Sequence, residues 1–255
     1  MNIKIDSLKL AEKVLLAALL SVPLCNKTKF SFGNLLECGF SPAPTLTVLI
    51  LSQLASSNLV KWGGNNLSNK RILQEGDSYD FDVSLVFDHS EKALSDLLLQ
   101  INSDERSVQD EAVIVSLIKN IFVAECIQFI FDQLSLTFFD IDLMMNPPVE
   151  LIELLDHYTL AELHTLLWMA ASKISTRQKK EESASNLLSH ICRSAQRSAL
   201  LYAANENPIE LYQKQKNSEG SVATVMLMEN ILELDSGSYF TGEIWTGLSK
   251  DARYF

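Results

Sequence analysis

Residues 31–62 read SFGNLLECGFSPAPTLTVLILSQLASSNLVKW, and this stretch decides which fold is expected. Ser31 can cap a short helix, and Gly39 can end that helix in the left-handed conformation. The proline-containing segment that follows predicts a turn, and residues 45–54 predict a second helix. Residues 58–62 then read as a strand. The predicted order is helix, tight turn, helix and strand.

A second strand is predicted where apolar side chains alternate with mostly polar ones between Tyr79 and Phe87. The loop between the two strands contains Lys70 and Arg71. Because a two-stranded ribbon is only marginally stable alone, it must pack against the helices, as the wing does in a winged helix. Residues 1–90 are therefore predicted to form a winged-helix-like domain. A small α+β domain of another topology is the competing interpretation.

The apolar run at residues 14–20 resembles part of a signal peptide, but its surroundings favour a helix of the domain. Asp6 and Glu12 interrupt the charged region that would precede such a leader. The residues before Cys25 also lack the small side chain that a cleavage site needs. We therefore expect residues 8–20 to form the first, amphipathic helix.

Composition favours a fold that is mainly α with a minor β part. The chain has 255 residues, of which 47% are hydrophobic, so it can bury a substantial core. Nine glycines and six prolines are few, which fits helices joined by short connections. The four cysteines lie far apart and show no zinc-finger spacing. We expect a cytoplasmic protein without a structural metal.

Residues 91–255 are predicted to form a mostly helical, acidic domain. The formal net charge is −11, and residues 1–90 carry equal numbers of basic and acidic residues, so the whole excess of acid lies in this second region. Such acidity would repel a nucleic-acid backbone. A capping box at residues 107–110 begins a long helix that is apolar nearly all round. Its charged residues favour a buried or partner-covered helix over a membrane span.

Three further helix starts are predicted beyond this long helix. Thr159 opens a second capping box, and Asn207 followed by Pro208 is typical of a helix N-terminus. A last helix over residues 221–234 precedes a turn and an aromatic strand at residues 239–245. That order repeats the organisation of the first half and suggests a second, degenerate winged helix.

The second helix of the first domain has an unusual lack of charge. No Lys, Arg, Asp or Glu occurs between residues 38 and 60. A helix that enters a DNA groove normally supplies basic side chains for phosphates and base edges, so the pattern favours burial against another protein. The candidate partner-binding residues are Thr45, Thr47, Gln53 and Trp62. Other apolar residues that would suit such burial are Met144, Met145, Trp168, Met226, Met228 and Trp245.

The second expectation is a weak or indirect contact with nucleic acid. Arg193 and Arg197 lie four residues apart on a predicted helix and share a face, which can equally be a solvated surface. The candidate nucleic-acid contacts are Lys61, Lys70, Arg71, Arg193 and Arg197.

The sequence shows no motif that identifies a reaction. It contains no phosphate-binding glycine loop, no HExxH and no GxSxG. His157 and His164 are separated by the helix cap at Thr159, which argues against a shared metal site. We expect a protein that is not an enzyme and needs no cofactor.

The element order over residues 8–88, the acidity and the uncharged second helix resemble the accessory subunits of bacterial SMC-type (condensin-like) complexes. That resemblance implies a non-catalytic, winged-helix subunit that binds an SMC-like ATPase or a kleisin, in chromosome maintenance or defence against foreign DNA. A winged-helix transcriptional regulator with a helical dimerisation domain is one alternative, and it would form a homodimer. The other alternative is an acidic immunity or antitoxin-like protein that masks a basic toxin. Association with a membrane is not expected.

Overall fold

A computed structural model shows a mainly helical protein with one small, three-stranded antiparallel sheet. It describes residues 7–22, 29–62, 82–86, 91–102, 108–136, 141–174, 182–212 and 221–232. The expected class, mainly α with a minor β part, is confirmed. The predicted helix start at residue 107 and the predicted strand at residues 239–245 lie outside the described residues.

The first part of the chain alternates helices with short strands. Its elements are α1 (Leu10–Leu20), β1 (Lys29–Ser31), α2 (Phe32–Glu37), α3 (Pro44–Ser56), β2 (Val60–Trp62) and β3 (Asp82–Leu85).

The remaining elements are helical. They are α4 (Glu91–Asn102), α5 (Val108–Leu134), α6 (Ile141–Met145), α7 (Val149–His157), α8 (Leu160–Ala171), α9 (Ala184–Ala204) and α10 (Val222–Val225), which continues into the π-helical turn Met226–Ile231.

The sheet has the order β1-β3-β2, so the last strand in sequence lies in the middle. Val83 of β3 pairs with Phe30 of β1 on one side and with Trp62 of β2 on the other. Within β3, Val83 and Leu85 are buried whereas Asp82 is exposed, as the predicted alternation requires. Strand β1 was not predicted, because three residues are too few to show a periodic pattern.

Several predicted helix boundaries are confirmed by hydrogen bonds. The Ser31 hydroxyl accepts from the backbone N–H of Asn34, and Gly39 ends α2 with a φ of 65°. At α8, the Thr159 hydroxyl accepts from the N–H of Glu162, whose carboxylate accepts from the N–H of Thr159. These reciprocal bonds satisfy donors that a helix start would otherwise leave open.

One hydrophobic core runs through both halves of the described chain. Helix α1 packs against α3, α4, α5, α10 and the π-helical turn, so it contacts elements from both sides of residue 90. The backbone N–H groups of Val222 and Ala223 donate to the carbonyls of Gly39 and Phe40. The predicted boundary at residue 90 therefore does not separate two cores among the described residues.

Helix α5 lies at the centre of this core. It packs against α1, α3, α6, α7 and α8, and Lys119 at its surface forms a 2.9 Å ion pair with Asp156 of α7. By length and composition alone, the segment Gln109–Leu134 could cross a membrane, and it is the one described segment that could. Most of its apolar stretch is buried inside the protein, as expected for the central helix of a core.

Residues 207–212 depart from the prediction, since no helix begins at Asn207. The segment instead runs along α8, where the Thr165 hydroxyl donates to the Glu210 carbonyl at 2.6 Å. The N–H of Tyr212 donates to the Ala161 carbonyl at 3.2 Å. These contacts with α8 satisfy backbone groups that a local helix would have satisfied, and they outweigh the sequence signal.

Candidate interaction surfaces

Helix α3 is buried within the protein itself, which corrects the prediction for two of its residues. Thr45 is 6% exposed and Thr47 is fully buried. The hydroxyls of Thr47 and Ser41 form a 2.7 Å hydrogen bond, so the polar atom of Thr47 is satisfied inside the chain. Neither side chain is available to a partner in this structure, because α3 packs against α1, α5 and α6.

The remaining candidate residues in and after α3 either are exposed or have side chains outside the described part of the structure. Gln53 is exposed on α3, and Lys61 is exposed on β2. Trp62 belongs to β2, but its side chain lies outside the described part of the structure, as do Lys70 and Arg71.

The part of α3 that is not fully enclosed forms one wall of an apolar pocket of about 420 Å³. Helices α1, α5 and α6 and the C-terminal helical segment supply the other walls. Gln53 and Asn120 are exposed and contribute the two amide side chains of the lining. Met145, which is 62% exposed, also lines it, while its neighbour Met144 is buried.

A second candidate surface lies on α9. One side of this helix is buried and packs on α7 and α8, while Arg193, Arg197, Leu200 and Leu201 are exposed. These residues recur at helical spacing, so the two arginines and the two leucines lie along one exposed side of the helix. Arg193 also contacts Glu150 of α7, with 3.4 Å between Nε and Oε1.

Further exposed apolar side chains occur on α8, which packs on α9, and in residues 207–212, which bond to α8. The Tyr202 hydroxyl lies 3.8 Å from the sulfur of Met169, which joins the end of α9 to α8. Trp168 directly precedes Met169, and it is 48% exposed. Leu211, 52% exposed, lies between the two residues that bond to α8. We call Trp168, Arg193, Arg197, Leu200, Leu201 and Leu211 the α8–α9 surface.

Ring contacts of Tyr212 fix the end of residues 207–212 against α5 and α8. His164 of α8 is buried and stacks on Phe129 of α5, with ring centroids 4.1 Å apart. The ring of Tyr212 packs edge-on against both of them. Leu211 therefore projects from a fixed segment.

The core also contains a buried carboxylate, Glu125, and two buried thiols, Cys126 and Cys192. The carboxylate of Glu125 on α5 accepts a 3.4 Å hydrogen bond from the Thr224 hydroxyl. Burial raises the pKa of the Cys126 thiol well above its ordinary value and that of Cys192 to about 12. Both thiols stay protonated at neutral pH, which makes them poor nucleophiles. Among the described residues, no three His, Cys, Asp or Glu side chains are grouped as a metal site would need.

Comparison of the chain with protein-family models, curated proteins and solved structures finds no match.

The sequence alone indicated part of the α8–α9 surface and missed the rest. It selected Arg193, Arg197 and Trp168, but not the leucines. Leu200 and Leu201 could have been found, because the buried positions of α9 recur at helical spacing through Ala195 and Ala199 and leave both leucines off that face. Leu211 had no such signal, since its position depends on contacts with α8. Met226 and Met228 are buried, and Trp245 lies outside the described residues.

Proposed function

We propose that this chain is a non-catalytic subunit that binds a larger protein through the α8–α9 surface. The observation that carries the proposal is the exposure of four large apolar side chains and two arginines, on neighbouring elements that are themselves anchored in the core. Tryptophan and arginine are the residue types that most often dominate the energy of protein interfaces. An exposed apolar cluster bordered by charge is typical of a docking site.

Charge indicates the kind of partner. Helix α9 contains two arginines, one histidine and no acidic residue, although the chain as a whole is strongly acidic. A partner that supplies an apolar segment flanked by Asp or Glu would bury the leucines and pair with the arginines. DNA fits less well, because Leu200 and Leu201 offer nothing to a phosphate.

The element order supports a winged-helix interpretation of the first 90 residues. Elements α1, β1, α2, α3, β2 and β3 follow the order helix, strand, helix, helix, strand, strand, and β3 lies between the other two strands. In such a domain α3 would be the DNA-reading helix, but here α5 and α6 cover it. This favours the protein-binding subunit over the transcriptional regulator. An SMC-like ATPase or a kleisin remains the proposed partner, in chromosome maintenance or defence against foreign DNA.

The proposal is tested by affinity purification from the source organism with nuclease treatment, followed by mass spectrometry and native mass determination. We expect one large protein to be recovered in a fixed ratio with the wild-type chain. Leu201→Asp should abolish that recovery, because the new carboxylate would lie inside an apolar contact.

Leu99→Asp is the matched control, since Leu99 of α4 is 66% exposed and Leu201 is 64% exposed. Recovery should persist with Leu99→Asp and fall with the double variant Arg193→Glu/Arg197→Glu. Equal recovery with Leu99→Asp and Leu201→Asp would refute the assigned surface. Isolation of the chain as a homodimer that binds DNA in a salt-dependent manner would favour the regulator instead.

A further inference from the structure

The 420 Å³ pocket beside α3 is a second feature, separate from the α8–α9 surface. Protein interiors are packed as densely as organic crystals and leave few voids larger than a water molecule. A cavity of this size falls within the range of sites that bind small molecules. The pocket is therefore large enough to hold a small organic molecule.

The lining changes from the inner end of the pocket to its opening. The inner wall consists of buried apolar side chains from several elements, including Ala18, Ile50, Ile121 and Leu227. The exposed lining residues are Gln53, Asn120 and Met145. The two amide groups thus lie at the solvent side, where each can donate and accept hydrogen bonds.

Among the residues that the structure describes, no Asp, Glu, Lys, Arg or His lines the pocket. A charged ligand group entering it would lose its hydration and find no partner of opposite charge, which is unfavourable. A neutral ligand with an uncharged polar end would bury its apolar part and leave its hydroxyl or amide beside Gln53 and Asn120. The lining therefore disfavours charged ligands and favours apolar ones.

We propose that this pocket binds a neutral, mainly apolar small molecule with one uncharged hydrogen-bonding end. The ligand would contact α1 and α3 from the first half of the chain and α5 and α6 from the second. Because it would bind the folded state alone, it would also raise the apparent stability of the protein.

Binding is tested with N-phenyl-1-naphthylamine, a neutral fluorescent probe, using the full-length chain. We expect a saturable rise in fluorescence that 1-decanol reverses at a concentration at least tenfold lower than decanoate, both kept below the concentrations at which they aggregate. These competitors share a ten-carbon chain and differ in the charge of the end group, so the comparison tests the uncharged lining directly.

Gln53→Trp should block the opening and weaken probe binding at least tenfold. Ser56→Trp is its control, because Ser56 is exposed on the same helix but does not line the pocket. Leu49→Trp, within the pocket, should act like Gln53→Trp, and circular dichroism should show that the variants remain folded.

The proposal is overturned if the probe does not bind saturably, if decanoate competes as well as 1-decanol, or if Gln53→Trp binds as well as Ser56→Trp. Partner recovery through the α8–α9 surface is expected to be unaffected by Gln53→Trp, so the two proposals fail independently.

Discussion

Helices α3 and α9 were both candidates for contact with another molecule, and the structure places them in opposite environments. Helix α3 has no charged residue and is buried between α1, α5 and α6. Helix α9 has a buried side and an exposed side that carries two arginines and two leucines. The comparison shows that absence of charge on a helix can indicate burial in its own core, whereas exposed leucines next to arginines indicate a free surface.

The largest expected effect comes from a charge placed in the buried helix. Thr47→Glu should lower the free energy of unfolding by about 4 kcal/mol, because it buries an unpaired carboxylate and breaks the bond to Ser41. Urea unfolding followed by circular dichroism measures this change. The sequence alone had instead indicated Thr47 as a candidate partner-binding residue. Thr47→Val should cost only about 1 kcal/mol, and similar stability of both variants would refute the burial of this site.

The next largest difference in stability between the two helices is expected when a leucine is truncated in each. Leu51→Ala in α3 should lower the free energy of unfolding by about 3 kcal/mol, since Leu51 is fully buried and its loss leaves a cavity. Leu200→Ala in α9 should change it by less than about 0.5 kcal/mol, because Leu200 is 65% exposed. The same urea titration compares both variants, and equal losses would contradict the assignment of Leu200 to the surface.

The two helices also begin differently. Removing the side-chain cap of α9 should therefore have a smaller effect on stability than the changes above. The Ser183 hydroxyl accepts from the N–H of Asn186 at the start of α9, whereas α3 begins with Pro44 and has no side-chain cap. Ser183→Ala should therefore lower the free energy of unfolding by about 1 kcal/mol. Thermal unfolding detects this loss, and Ser183→Asn, which restores a cap, should recover most of it. No loss in the alanine variant would mean that packing alone fixes the start of α9.

A small effect on stability is also expected from the exposed arginines. The double change Arg193→Ala/Arg197→Ala should alter the free energy of unfolding by less than about 1 kcal/mol, because exposed ion pairs such as Arg193–Glu150 contribute little. The same variant should weaken recovery of the protein partner. A clear loss of stability with unchanged recovery would show that these arginines serve the fold.

Signals carried by adjacent residues allowed much of the fold to be predicted. The caps at Ser31 and Thr159, the left-handed Gly39 and the alternation through Val83 act over a few residues, so they are visible in the sequence. The predicted helix at Asn207 is absent, because hydrogen bonds to Thr165 and Ala161 outweigh the local preference for a helix. Contacts between distant residues cannot be read from local patterns.

The candidate sites were less predictable than the fold for the same reason. The sequence showed that α3 lacks charge, but it did not show that α5 and α6 supply the covering surface. The pocket could not be anticipated, because its lining comes from helices far apart in the chain. The arginines and Trp168 were identified by residue type, whereas Leu211 required the path of residues 207–212.

The hydrogen bonds from Val222 and Ala223 to Gly39 and Phe40 have a consequence for synthesis in the cell. A ribosome makes the N-terminal elements first, yet the turn between α2 and α3 receives these two donors only when residue 223 has emerged. Native contacts between such distant residues slow folding and prolong the time for which apolar surface is exposed. The nascent chain therefore completes this part of its core only after the last helices have been made.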